Sequence, residues 1–145
     1  MADAQESVPM FTKQWRIAAL AERFPQRAFT SLAHHIDAQW LMSAYLMTRR
    51  DGAIRIDGQT ADDFASDFEA NIQRLLEEAK SGRYRAPPVR RVHIPKGDGR
   101  TTRPIGIPTF EDKVLQRAVV SLLEPLYEHD FLPCSFGFRP GRSPH

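Results

Sequence analysis

A single cysteine, Cys134, is all the thiol chemistry that this chain of 145 residues contains. One cysteine cannot close an internal disulfide or build a cysteine-based zinc site, which excludes a disulfide scaffold and leads us to expect a reducing, cytoplasmic setting. Long apolar runs are missing as well. Nothing approaches the ~20 consecutive apolar residues needed to cross a bilayer, and the opening MADAQESVPMF has no basic stretch followed by an apolar one, so neither a membrane partner nor an export signal is expected. No internal repeat or low-complexity run is visible. Net charge is slight too, with 20 Lys and Arg against 18 Asp and Glu. What remains is a hydrophobic fraction of 41%, ordinary for one folded domain of this size.

That small net charge is unevenly placed. Residues 83–103, RYRAPPVRRVHIPKGDGRTTR, hold seven Lys or Arg and one acid, Asp98, whereas the rest of the chain holds 13 basic and 17 acidic residues. A localised cationic segment is an electrostatic footprint for phosphate. Many of the eleven prolines fall in and around this segment or beyond residue 132, which favours extended or irregular backbone there.

Apolar spacing predicts helices on both sides of the basic segment. Trp15, Ile17, Leu20 and Phe24 form a stripe over 13–24 that Pro25 should end. A second helix is expected over 30–49, capped by Thr30, with Leu32, Ile36, Trp40, Ala44 and Tyr45 inward. A third is expected over 60–81. There Thr60 and Asp63 resemble a capping box, Phe64, Phe68, Ile72, Leu75 and Ala79 make the stripe, and Gly82 supplies the stop. The period then changes to two. Val92 and Ile94 alternate with Arg91 and His93, and Ile105 and Ile107 follow suit, which predicts an antiparallel hairpin over 89–107 with one buried face and a basic tip, KGDGRTT. Thr109 and Asp112 then open a helix over 109–128 with Val114, Leu115, Ala118, Val119, Leu122 and Leu123 inward, expected to kink or restart at Pro125. The tail FLPCSFGFRPGRSPH has no period and reads as an irregular loop. The fold class expected is α+β, helices packed with a hairpin.

On the hairpin tip Lys96, Arg100 and Arg103 can clamp phosphate, because ammonium and guanidinium groups donate charge-assisted hydrogen bonds to its oxygens. A solvated surface hairpin is the plainer alternative. Arg90 and Arg91 upstream, and Arg139 and Arg142 downstream, favour the binding reading, and Gly97 and Gly99 permit close backbone approach. Other chemistries find little support. GDGRTT lacks the spacing and helix context of a phosphate-binding P-loop. Adjacent His34 and His35 point to different sides of a helix, and His129, Asp130 and Cys134 lack companions for a metal. Ser135 and Ser143 sit in no nucleophile elbow. Asp62, Asp63 and Asp67 fit a solvated helix face that complements the helix dipole, while Phe136 and Phe138, beside Arg139, could either pack or stack on bases.

The order of these motifs resembles the N-terminal part of bacterial group II intron-encoded reverse transcriptases, or maturases. The residues that carry the likeness are GAIRIDGQT (52–60), GRYR (82–85), PVRRVHIPKGDGRTTRPIGIPTFEDKVLQRAV and LEPLYEHDFLPCSFGFRPGRSPH. The resemblance implies residues 1–29 as an N-terminal extension with a short helix and 30–145 as the fingers region of a right-hand polymerase, the palm being absent. It implies that the extension lies along the template, that Lys96 and Arg103 contact the triphosphate of an incoming dNTP, and that Arg90, Arg91, Arg100, Arg139 and Arg142 contact nucleic acid. No catalytic residue falls within this chain, and it is expected to be inactive alone, with no cofactor of its own; Mg2+ would be held by palm carboxylates of the complete enzyme. Expected partners are template or intron RNA, dNTP in the complete enzyme, and either the missing palm and thumb or a second copy meeting the exposed apolar surface. A stand-alone RNA-binding or splicing module is the alternative. Two departures from the family pattern fall together: a basic residue is usual where Asp51 stands, and glycine where Arg55 stands.

Overall fold

A computed structural model describes residues 9–50, 57–97 and 99–143. Asp51, Arg55 and the turn acid Asp98 lie outside them. The architecture is mixed α+β. Helix α1 spans Met10–Arg23, α2 Ala38–Met47, α3 Ala61–Ser66, α4 Phe68–Lys80 and α5 Phe110–Asp130, with a short 3₁₀ turn at Ala33–His35 before α2; strands β1 (Arg90–Pro95) and β2 (Thr102–Ile107) form one antiparallel hairpin.

Helix α5 is the hub, with α1 and α2 packed against it. Its Phe110, Val114, Ala118 and Leu122 are buried among Ile17, Trp40, Leu41, Phe64, Ile72 and Leu75. Tyr45, Phe64 and Phe110 pack with centroids 5.6 to 5.9 Å apart, mostly edge to face, a geometry that adds to the gain from burial alone. Buried Trp40 needs a partner for its indole N–H and finds the Ala118 carbonyl at 3.0 Å.

Several expected boundaries shift, each for a local reason. Helix α1 begins earlier than the Trp15 stripe suggests and buries Met10, Ile17 and Ala21, while Trp15 is 73% exposed. Helix α2 begins at Ala38 rather than near Thr30, because the Asp37 carboxylate accepts the Trp40 amide at 2.8 Å and takes the cap. Leu32 and Ile36 still pack on the core from the preceding segment. The Thr60–Asp63 capping box forms as expected, but the helix it opens breaks at Asp67 (φ −131°, ψ 48°) into α3 and α4. The Asn71 amide donates to the Phe64 carbonyl at 2.9 Å and so satisfies an acceptor the break would strand. Gly82 adopts φ +69° at the end of α4, the left-handed stop that glycine allows at least cost.

Pro125 neither ends nor restarts α5, which runs through it to Asp130. Proline has no N–H, so the Ser121 carbonyl one turn back loses its intrahelical donor. Gln14 of α1 replaces it, donating its side-chain amide to that carbonyl at 2.8 Å. A defect in one helix therefore becomes a tie to another. Val119, expected inward, is 40% exposed.

Candidate nucleic-acid interface

The hairpin pairs Arg90 with Ile107, Val92 with Ile105 and Ile94 with Arg103. Cross-strand partners share a face and successive residues alternate, so Arg90, Val92, Ile94, Arg103, Ile105 and Ile107 lie on one face. Arg91, His93, Pro95, Thr102, Pro104 and Gly106 lie on the other. The Lys96 amide donates to the Thr101 carbonyl at 2.8 Å, which continues the ladder one pair further. Counting back from that bonded pair, alternate pairs are hydrogen-bonded, and both Pro95 and Pro104 fall at positions whose missing N–H the ladder does not need. The sequence can thus carry two prolines in a ribbon without breaking it.

This parity places Lys96 and Arg103 on the same face at the far end, as diagonal neighbours about 7–8 Å apart at Cα. Arg90 sits on that face at the near end, roughly 17 Å away by strand rise. Arg91 is on the reverse side. Gly99 turns the tip with φ +64°, and Arg100 follows it. Lys96, Arg100 and Arg103 are all exposed.

The expected buried face of the hairpin is only half covered. Ile94 is 39% exposed, and no hairpin side chain joins the core cluster. Two strands without a layer packed on them cannot bury a face, so the apolar centre of the ribbon stays accessible between its cationic ends. At the root, Tyr84 donates its hydroxyl to buried Asp112 of α5 at 3.1 Å, and Gln116 bonds the other carboxylate oxygen at 2.7 Å. Burial, then the charge of Asp112, pushes the Tyr84 phenol well above its ordinary range. Arg83 pairs with Glu77 at 3.0 Å, so one basic residue of the segment is partly neutralised.

The tail separates its two arginines. Arg142 is exposed. Arg139 is turned inward with only 5% of its side chain accessible, and Nε, Nη1 and Nη2 all donate: to the Glu128 carboxylate (3.0–3.3 Å), the Leu132 carbonyl (3.2 Å) and the Ser135 carbonyl (2.7 Å). Its guanidinium also lies 5.0 Å from the Phe131 ring centre. The expectation that Arg139 faces nucleic acid therefore meets a different geometry, because its donors are already spent on holding the loop. Phe138, just before it, takes φ 59° and is fully exposed, while Phe136 is 39% exposed.

No family model matches the chain. Curated proteins do. It is 46% identical over 86 residues to the group II intron-encoded protein LtrA of Lactococcus lactis subsp. cremoris, covering 59% of this chain and 14% of that protein. It is 38% identical over 110 residues to protein YkfC of Escherichia coli K12, covering 74% of this chain and 29% of that protein. Over 38 residues it is 47% identical to the mitochondrial nuclear intron maturase 1 of Arabidopsis thaliana, 26% of this chain and 5% of that protein. The chain's homologues are thus group II intron-encoded proteins and intron maturases, of which it spans less than a third of the length. Among the described residues no helix is long and apolar enough to cross a membrane.

Proposed function

We propose that the chain is the fingers part of a group II intron-type reverse transcriptase, in which the hairpin grips phosphate while bond formation takes place on other parts of the polypeptide. The observation that carries this reading is the shared distal face of Lys96 and Arg103, fixed by the Ile94–Arg103 pairing and the Lys96–Thr101 bond. Two cations at that spacing suit the oxygens of a dNTP triphosphate. The apolar residues behind them offer a surface for a base. Arg90, Arg91, Arg100 and Arg142 serve RNA, with Arg90 and Arg91 addressing different strands or stretches because they sit on opposite faces. Homology to intron-encoded proteins and maturases supports intron RNA as the polyanion. On this reading the divalent ions of a complete polymerase belong to its palm carboxylates.

Charge reversal tests the division of labour. In a full-length protein, Lys96→Glu with Arg103→Glu should abolish photo-crosslinking of dNTP while leaving RNA affinity within about twofold. Equal loss of both would make the hairpin a general phosphate patch and sink the dNTP assignment. The maturase relatives favour a second reading, an RNA-binding splicing module without nucleotide chemistry. Under it, dNTP would not crosslink even to the unaltered protein.

A further inference from the structure

We infer that Tyr84 and Asp112 are positioning residues for the hairpin, taken as the phosphate grip proposed above. Their hydrogen bond fixes the angle at which the ribbon holds Lys96 and Arg103 out from the helical body.

The ribbon has little else to hold that angle. No hairpin side chain joins the core cluster, and two strands without a covering layer have no packing to set their tilt. Its direction is therefore decided where its two legs leave the body. Both legs are stiff. Pro87 and Pro88, each with φ fixed by its ring, lie between Tyr84 and the start of β1 at Arg90. On the other side only Pro108 and Thr109 separate Ile107 of β2 from Phe110 of α5. A proline-rich spacer is semi-rigid, so a shift at its origin is carried to the tip.

Both origins converge on one residue. The Asp112 amide donates to the hydroxyl of Thr109, the cap from which the β2 leg springs, at 3.3 Å. The Asp112 carboxylate accepts the Tyr84 hydroxyl at 3.1 Å. Tyr84 is where the β1 leg departs, with its ring packed on the core and its amide bonded to the Glu78 carbonyl near the end of α4 at 3.0 Å. The site is dry: Asp112 is 7% exposed and Thr109 1%. Among the described residues no Lys, Arg or His forms an ion pair with Asp112. Its charge is met instead by the Tyr84 hydroxyl, the Gln116 amide at 2.7 Å and the first turn of α5. Arg74 of α4 also pairs with Glu111 of α5, but Arg74 is 44% exposed and that pair weakens in salt. The buried Tyr84–Asp112 bond does not.

The test is a spin-label distance measurement on the 145-residue chain. One label sits on the exposed native Cys134 and the other on Gly97→Cys at the tip, where an added Cβ meets nothing within 4 Å. Salt is held at about 0.5 M to screen the Arg74 pair. Tyr84→Phe keeps the ring on the core and removes only the hydroxyl; it should widen the distance distribution about twofold. Asp112→Ala should widen it as far, and combining the two should add nothing, since they break one bond. Gln116→Ala removes the other bond to the same carboxylate, touches neither leg, and should leave the width unchanged. Circular dichroism checks that each variant is folded. An unchanged width in Tyr84→Phe, or equal widening in Gln116→Ala, would overturn the proposal. In a full-length protein, Tyr84→Phe should raise the dNTP concentration for half-maximal photo-crosslinking about three- to tenfold with the maximal yield retained, because the cations are present but less often aligned. A widened distribution with unchanged half-saturation would also overturn it. If dNTP fails to crosslink even to the unaltered protein, the nucleotide reading falls, and the distance distributions by themselves decide whether Tyr84 and Asp112 hold the ribbon.

Discussion

Arg139 and Arg142 lie three positions apart in one loop, yet the first is consumed by Glu128 and two carbonyls while the second faces water. Truncating a buried guanidinium leaves its acceptors unpaired, which costs far more than the bond was worth net. Arg139→Ala should lower unfolding free energy in urea by about 2 kcal/mol, and Arg142→Ala should leave it unchanged while reducing RNA affinity. The same pair predicts a pH effect. The hydrogen bond from Arg139 holds the Glu128 carboxyl below the usual carboxylate range, so its contribution is complete above the unfolded carboxyl's pKa and is lost as pH falls through the lowered folded value. The acid limb of a stability–pH curve should therefore flatten in the Arg139→Ala variant, and an unchanged limb would refute the linkage. Lys96 and Arg103 were singled out as a pair by the family resemblance and not by alternation, and the register adds that they share a face. Arg139 was not legible as an inward residue, since an arginine in RPGR looks the same whether its partner is phosphate or a carboxylate eleven residues upstream.

Among the elements, α5 shows how far a local rule can be overridden. Sequence predicts trouble at Pro125, and the trouble is real, but its remedy is Gln14, 107 positions before the Ser121 carbonyl that it satisfies. Gln14→Ala should strand the Ser121 carbonyl and cost about 1–2 kcal/mol, and restoring an N–H with Pro125→Ala should remove most of that penalty in a double-mutant cycle of denaturant unfolding. Additive effects would show that the two sites are independent. The capping box of α3 was readable because Thr60 and Asp63 are close in sequence; Thr60→Ala should cost about 1 kcal/mol by the same measurement. The start of α2 was misread because Thr30 and Asp37 are both acceptable caps, and only the fold decides which aligns with the helix. Lys13 adds to that decision by pairing with Asp37 and donating to the His35 carbonyl at 3.3 Å. The hairpin was legible in extent, alternation and composition, but its half-covered face was not, because alternation reports which face is apolar and not what packs on it.

At the scale of the whole molecule, exposed cations and exposed apolar groups occur on the ribbon and on the helical body alike. The ribbon carries exposed positive charge, and the helical body exposes Phe11 (76%) and Trp15 (73%) beside Pro125, Glu124 and Glu128, in an open cleft of about 630 Å³. An exposed apolar patch of this kind favours association with another surface. Alone, the chain should sediment as larger species with rising concentration, and Trp15→Glu should return it to a monomer. Self-association that survives this change would place the contact elsewhere.

The tie from Gln14 to the Ser121 carbonyl also has a bearing on synthesis. At roughly 5–20 residues added per second, about 5–20 s separate translation of the donor from that of its acceptor. Throughout that interval α1 has no α5 to shelter Ile17, so the nascent chain offers a ribosome-proximal chaperone an apolar helix to hold. Completion of the body must wait until the turn containing Pro125 clears the exit tunnel.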